Sequence, residues 1–164
     1  MALAFQPLQA ASMKSYTHGT EGFTLKYPSE WEAREDVTYE LFKIPFLAIR
    51  PLAGENDTYR ENVNVVTEKV APKMSLEVYL KANLKEMPKG LQSFKKIGTG
   101  TLSGGKTPSE YLIYSHKSQG IKMKAVVFFY RKGPKGYSVT CTSTPEGFDG
   151  YWDLFQAMGK SFKP

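Results

Sequence analysis

The sequence predicts one α+β domain, a mainly antiparallel sheet of about six to seven strands with a helix on each face, an α-β-α sandwich. Three observations lead there. The second half of the chain holds four alternating segments joined at Gly104-Gly105, Gln119-Gly120 and Gly133-Pro134, and short glycine-containing joints favour hairpins. Two other segments place apolar residues at spacings of three and four, the period of amphipathic helices. One strand is apolar on both faces and therefore needs cover on both sides.

Taken in order, Gly22–Pro28 alternates Phe23, Leu25 and Tyr27 with small or polar residues and stops at Pro28, the pattern of a half-buried strand. Trp31 follows the Ser29-Glu30 turn and is expected to plug one end of the core. A second strand lies within Thr38–Pro51, where Pro45 calls for a bulge or an edge position. Gly54–Thr58 is a polar loop, and Asn62–Val70 is a strand with Val63, Val65 and Thr67 on one face. Ser75 reads as a helix N-cap, with Glu77 favouring the positive end of the helix dipole. Leu76, Leu80, Leu84 and Met87 form its apolar stripe, beside Tyr79, and Pro88-Lys89-Gly90 ends it. Strands follow at Ser93–Leu102, Ser109–Lys117, Ile121–Arg131 and Gly136–Thr144. In the third of these, Ile121, Met123, Ala125, Val127 and Phe129 share one face, and Val126, Phe128 and Tyr130 the other. A second helix is expected from Thr144-Pro145-Glu146, with threonine as cap and proline in the first turn. Phe148, Tyr151, Trp152, Phe155 and Met158 make its stripe, Gly159 loosens its end and Phe162 tucks down.

The chain has 164 residues, 41% hydrophobic and 23% charged, which suits a single globular domain with a real core and not a disordered chain. The net charge of +6 would favour an acidic partner, but lysines such as Lys122, Lys124 and Lys132 are scattered along alternating segments. They read as the wet side of a sheet, and without a basic run or reading module no nucleic acid is expected. The lone Cys141 forms no internal disulfide and lies in an apolar stretch, as a buried inert thiol does. Residues 1–20 are set apart as a lead-in, a signal remnant, tag or N-terminal arm. Its Ala2-Leu3-Ala4-Phe5 patch is apolar, and Leu8–Ser12 has the small residues of a cleavage region. No segment is long and apolar enough to span a bilayer.

Gly100–Thr107 matches the phosphate-binding pattern G-x-x-x-x-G-K-T. That pattern works only between a strand and a helix, whose N-terminus meets the phosphates. Here Pro108 and the strand-like Glu110–Tyr114 follow, so the match reads as a glycine hairpin. His18 and His116 lie far apart without ligand spacing, and each reads as a surface histidine. No G-x-S-x-G elbow is present. Glu55 and Asp57 are weak candidates for calcium or another divalent metal, without the spacing of an EF-hand loop; no other cofactor is expected. Asn56-Asp57-Thr58 is a formal glycosylation sequon. The remaining candidate binding surface is a loop set comprising Trp31, Glu55, Asp57, Lys106 and His116.

The motifs in order carry a family resemblance. Gly22–Trp31, with its Gly-Phe opening and Tyr27-Pro28…Trp31 close, resembles the opening of PsbP-like proteins, and Asn62–Val66 resembles their N-V-x-V strand. Ser75–Leu80, Gly104-Gly105-Lys106 with Tyr111, and Phe155 with Lys160-Ser161-Phe162 are similar to later family segments. The resemblance covers about Gly22 to Lys163 and implies a Mog/PsbP-like domain over residues 21–164. Family precedents include an extrinsic subunit supporting calcium and chloride retention at the oxygen-evolving centre, secreted bacterial proteins and lipoproteins, and a Ran-binding nuclear protein. It implies a non-catalytic binding or accessory module, not an enzyme, exported in a bacterium to the periplasm, envelope or medium, with the cytoplasm as the alternative. A protein partner, peripheral membrane association and a monomer or dimer fit that picture. The competing readings are a small-ligand or hydrolytic enzyme with a pocket between sheet and helix, and a metal-responsive protein.

Overall fold

The computed structural model describes residues 11–164. The apolar patch at Ala2–Phe5 lies outside the described residues, as does most of the cleavage-like stretch. Among the described residues nine strands and two helices build the domain: β1 (Met13–Thr17), β2 (Thr24–Pro28), β3 (Glu32–Tyr39), β4 (Phe42–Ile49), β5 (Asn62–Lys69), α1 (Leu76–Gly90), β6 (Gln92–Thr101), β7 (Glu110–Ser118), β8 (Ile121–Lys132), β9 (Lys135–Ser143) and α2 (Phe148–Ser161). Seven strands form one sheet in the order β3-β4-β5-β9-β8-β7-β6, all pairs antiparallel.

Strand β8 behaves as its double pattern requires. Ala125, Val127 and Phe129 are buried with Tyr79, Leu112 and Tyr114 under α1. Val126, Phe128 and Tyr130 are buried on the other face with Phe148, Phe155, Met158 and Phe162 of the α2 region. Tyr130 donates its hydroxyl to the Gly159 carbonyl, and a side chain at Gly159 would meet Leu102 and Phe128 at 3.0 Å. Glycine there lets α2 lie close to the sheet. The β7–β8 turn is closed by Gln119 and Gly120, both at positive φ (49° and 79°), the conformation that a two-residue I′ hairpin needs.

Four expectations are corrected. Half of the lead-in is structural: β1 pairs with β2 as a separate two-stranded sheet, and Tyr16 stacks on Phe46 at 4.3 Å. His18 is not a surface histidine but is 4% exposed, stacked on Phe23 at 5.3 Å. Glu32–Tyr39 is a strand of its own, β3. It is an edge strand wet on most of its residues, so its sequence carries no apolar alternation. Helix α2 starts later than Thr144: residues 145–147 form a turn, in which Thr144 Oγ1 accepts from Gly147 N at 3.1 Å.

Pro45 sits where its missing N–H does no harm. The β4–β5 register stops at Phe46↔Val65, and across the other edge Pro45 faces Asp36, which breaks the ladder with φ +48°. Helix α1 runs through Pro88 to Gly90, with Leu91 N bonded to Met87 O at 3.0 Å; Ser75 Oγ caps its start at 3.2 Å from Val78 N.

A close approach also sets the height of α1. A Cβ at Gly136 would lie 2.6 Å from the Tyr79 ring. Gly136→Ala is therefore expected to destabilise the fold by about 1–3 kcal/mol through overpacking. Denaturant unfolding should show the Gly136→Ala/Tyr79→Leu double variant costing less than the sum of the two single changes, because they share one contact.

Candidate docking surface

Helix α1 covers only part of its face of the sheet. Its stripe of Leu76, Leu80, Leu84 and Met87 packs with residues of β7 and β8 and with Phe94 of β6. The same face continues across β9, β5, β4 and β3. In register, Val127 lies beside Thr140, then Asn64, Leu47 and Arg34. The next row continues from Ala125 through Thr142, Asn62 and Ile49 to Glu32. Thr140, Asn64, Leu47, Asn62 and Ile49 are all half-buried, and Val66 is exposed. This uncovered half-sheet is a rigid, backbone-paired surface of small polar side chains with interspersed apolar ones.

A groove of about 370 Å³ runs between its edge and α1, lined chiefly by Glu68, Val70, Met74, Tyr79, Asn83 and Glu86. Tyr79 supplies its buried wall and donates to Glu68 Oε1 at 2.7 Å; burial pushes its hydroxyl pKa up. Asn83 Nδ2 is held on the Tyr79 carbonyl at 3.0 Å. Lys89, 2.8 Å from Glu86 Oε1, keeps the Glu86 carboxyl below its usual range. The groove holds carboxylates, an amide and a phenol, with neither histidine nor cysteine among its lining residues.

The far end of the face is locked by a charge knot. Arg50 donates through Nε to Glu61, through Nη1 to Asp57 Oδ2 at 2.8 Å and through Nη2 to the Tyr59 carbonyl at 2.7 Å. Glu61 is buried and its other oxygen accepts from Ser143 Oγ at 3.2 Å. Arg60 donates from Nε to the Arg50 carbonyl at 2.6 Å and pairs with Glu32 at 3.0 Å. The polar loop thus folds back over the sheet, and Tyr59 lies between Asn62 and Met123, its pKa raised to about 12 by burial.

The sequence-nominated residues do not converge. Trp31 is 3% exposed and belongs to the core, so it offers no binding surface. Glu55 is exposed in the loop, whereas Asp57 is committed to Arg50. Lys106 is exposed at the β6–β7 connection, and its backbone N–H bonds the Lys160 carbonyl at 3.1 Å. A strand follows that loop, so the phosphate-pattern match has no helix N-terminus to complete it. His116 faces Met123 across β7–β8; burial lowers its pKa, and its Nδ1 has no hydrogen-bond partner among the described residues. Cys141 is buried in the core, which raises its thiol pKa. Among the described residues no group of three or more His, Cys, Asp or Glu could hold a metal ion. Tyr79 and Asn83 were legible as helix residues but not as a groove wall, because their partner Glu68 lies on another element.

No protein-family model matches the chain, and no curated protein matches it. Solved structures do. The chain is similar to the cyanobacterial PsbP (CyanoP) of Synechocystis, at 14% identity and TM-score 0.67, over 98% of this chain and 96% of that one. It is similar to LpqN, involved in cell envelope biogenesis of Mycobacterium tuberculosis, at 12% identity and TM-score 0.63, over 94% and 91%. The Saccharomyces cerevisiae Ran-binding protein Mog1p matches at 10% identity and TM-score 0.62, over 94% and 96%. At such identities the likeness is one of fold, and the chain has the Mog/PsbP-like fold.

The Arg50 knot has a pH signature. Hydrogen bonding from Arg50 holds Asp57 at about 2, below the ordinary value of about 3.9. The stability it contributes is present above that ordinary value and is lost as pH falls toward the folded one. The melting temperature of wild type should exceed that of Asp57→Asn by a constant amount above about pH 5, and the gap should close near about pH 2. A gap that persists unchanged at that acidity would show that Asp57 acts through packing instead of charge.

Proposed function

We propose that this chain is a non-catalytic binding or accessory module working outside the cytoplasm, which docks a protein partner on the uncovered half of its sheet. The observation that carries the reading is the row Thr140–Asn64–Leu47, half-buried and continuous with the α1-covered core row of Val127 and Leu112. A paired β-surface loses little conformational entropy on binding, and small polar residues around apolar ones can be desolvated without stranding a charge.

Chemistry and comparison both support it. The groove carboxylates Glu68 and Glu86 are engaged by Tyr79 and Lys89, and among the described residues the His116 Nδ1 has no hydrogen-bond partner. The similar structures are described as PsbP, as a protein of cell envelope biogenesis and as a Ran-binding protein. The second of these descriptions, a protein of cell envelope biogenesis, favours an extracytoplasmic setting for this chain as well.

Photoreactive side chains introduced in the native host at Asn64 and Thr140, with one at Lys81 on the solvent side of α1, test the surface. Adducts of a discrete protein are expected from the first two positions and not from the third, and Thr140→Arg should abolish them without lowering the melting temperature. Cell fractionation should place the chain in the envelope or medium. Cross-linking from Lys81 alone, or an entirely cytoplasmic chain, would sink the corresponding half of the proposal.

A further inference from the structure

The β3–β4 hairpin parts from the sheet at Phe46, while β5 continues beside it to Lys69 on its pairing with β9. Strand β4 pairs with β5 only from Phe46 to Ile49, yet its pairing with β3 continues through Val37↔Ile44 to Tyr39↔Phe42. Four residues beyond Phe46 project as a free two-stranded ribbon, about 13 Å at the usual strand rise. Its apolar side prolongs the core. Phe46 is buried under Tyr16 and Tyr27, Ile44 and Val37 are half-buried, and at the tip Phe42 is 69%, Tyr39 59% and Leu41 97% exposed. The ribbon is anchored at its base, where Asp36 bonds Lys43 at 3.0 Å and meets His18 at 3.4 Å. That base is braced, whereas the apolar tip stays exposed among the described residues.

The same end of the sheet is rich in lysine. Lys69, Lys135 and Lys132 stand directly across from one another on β5, β9 and β8, a like-charge row that costs stability unless something neutralises it. Lys135 is neutralised by Glu21 at 2.9 Å; Lys132 donates to the Pro164 oxygen at 3.0 Å, and Lys69 forms no ion pair among the described residues. Lys73 lies in the loop whose Ala71 and Pro72 carbonyls accept from Arg131. Lys106 and Lys163 flank the C-terminal end of α2. All five of these other lysines are exposed.

We propose that this pole binds an anionic lipid bilayer, with Tyr39, Leu41 and Phe42 inserted at the interface and the lysines on the headgroups. A convex apolar tip suits a bilayer, which deforms around it, and one short wedge or one basic patch alone gives only marginal attachment, so the two signals act together. Lysines on one side and a hydrophobic wedge on the same side is the pairing that a lipid surface rewards. Glu40, the acidic residue of the tip, remains at headgroup level for an insertion of about 5–10 Å. The open sheet face is left free for a partner, so this attachment stands independently of the proposed protein docking.

Sedimentation with vesicles of phosphatidylcholine, alone and with phosphatidylglycerol added, tests it. The chain should pellet with the anionic vesicles and release as salt rises. Leu41→Ser/Phe42→Ser should cut the partition coefficient roughly tenfold or more, and Lys69→Glu/Lys73→Glu should do so on anionic vesicles. Both pairs are exposed, and an unchanged melting temperature shows that folding is intact. An environment-sensitive fluorophore on Leu41→Cys, with Cys141 buried from the label, should shift blue on anionic vesicles. Failure to pellet, equal pelleting on both vesicle types, or no loss in the tip variant would overturn the proposal. A protein cross-linked at the tip in the absence of vesicle binding would also overturn it, by reassigning the tip to a protein cleft.

Discussion

Strand β8 can face water on neither side between Ala125 and Tyr130, and most of the architecture answers that constraint. A strand apolar on both faces must lie inside a sheet, with neighbours on both edges and a layer on each face. Strands β7 and β9 supply the edges through short hairpins. Helix α1 covers Ala125, Val127 and Phe129, while α2 covers Val126, Phe128 and Tyr130. Two glycines set the spacing, Gly136 under Tyr79 and Gly159 against Phe128. The helices are drawn down to the sheet where β8 and its neighbours need them.

The two layers differ in extent, and this difference creates the surfaces with functional interest. On the α2 side, the β1–β2 hairpin extends the cover, with Phe23, Leu25 and Tyr27 joining Phe46, Val63 and Val65 in one cluster. On the other side α1 lies over β7 and β8 and reaches β9 and β5 through Tyr79 alone among its buried residues. The strands β9, β5 and β4 keep a half-exposed face, held by pairing on both edges of β5 from Asn62 to Val65. The Arg50 knot then holds the long loop onto the end of that face through Asp57, Glu61 and two carbonyls. Such a network is strong because the buried Glu61 has partners for both its oxygens.

Much of the core could be read in the sequence, because period-two and helical spacings report burial directly. The two faces of β8, the stripe of α1 with its Ser75 cap and the stripe of α2 all lie where the alternation places them. Strand β3 was hidden because an edge strand wet on both faces has no alternation to display. Strand β1 was hidden because its neighbours in sequence resemble a cleavage region. His18 looked like a surface residue because its burial is produced by Phe23, folded back onto it by the β1–β2 turn, and by Asp36 of β3. The candidate site residues were chosen from loops, and the structure distributes them among core, knot and solvent.

The sequence by itself determined the fold class, the central strand, the two covering helices and the failure of the phosphate-binding pattern, since each depends on local period or on what directly follows a motif. Only the tertiary structure decided which sheet face stays open, that Asp57 is spent on Arg50, and that an apolar hairpin tip shares a pole with exposed lysines. Those properties arise from how the folded chain places side chains that local period does not report. Coverage of a face depends on where a helix stops against strands that are not its neighbours in the chain, and a charge is free or neutralised according to the arginine the fold carries to it.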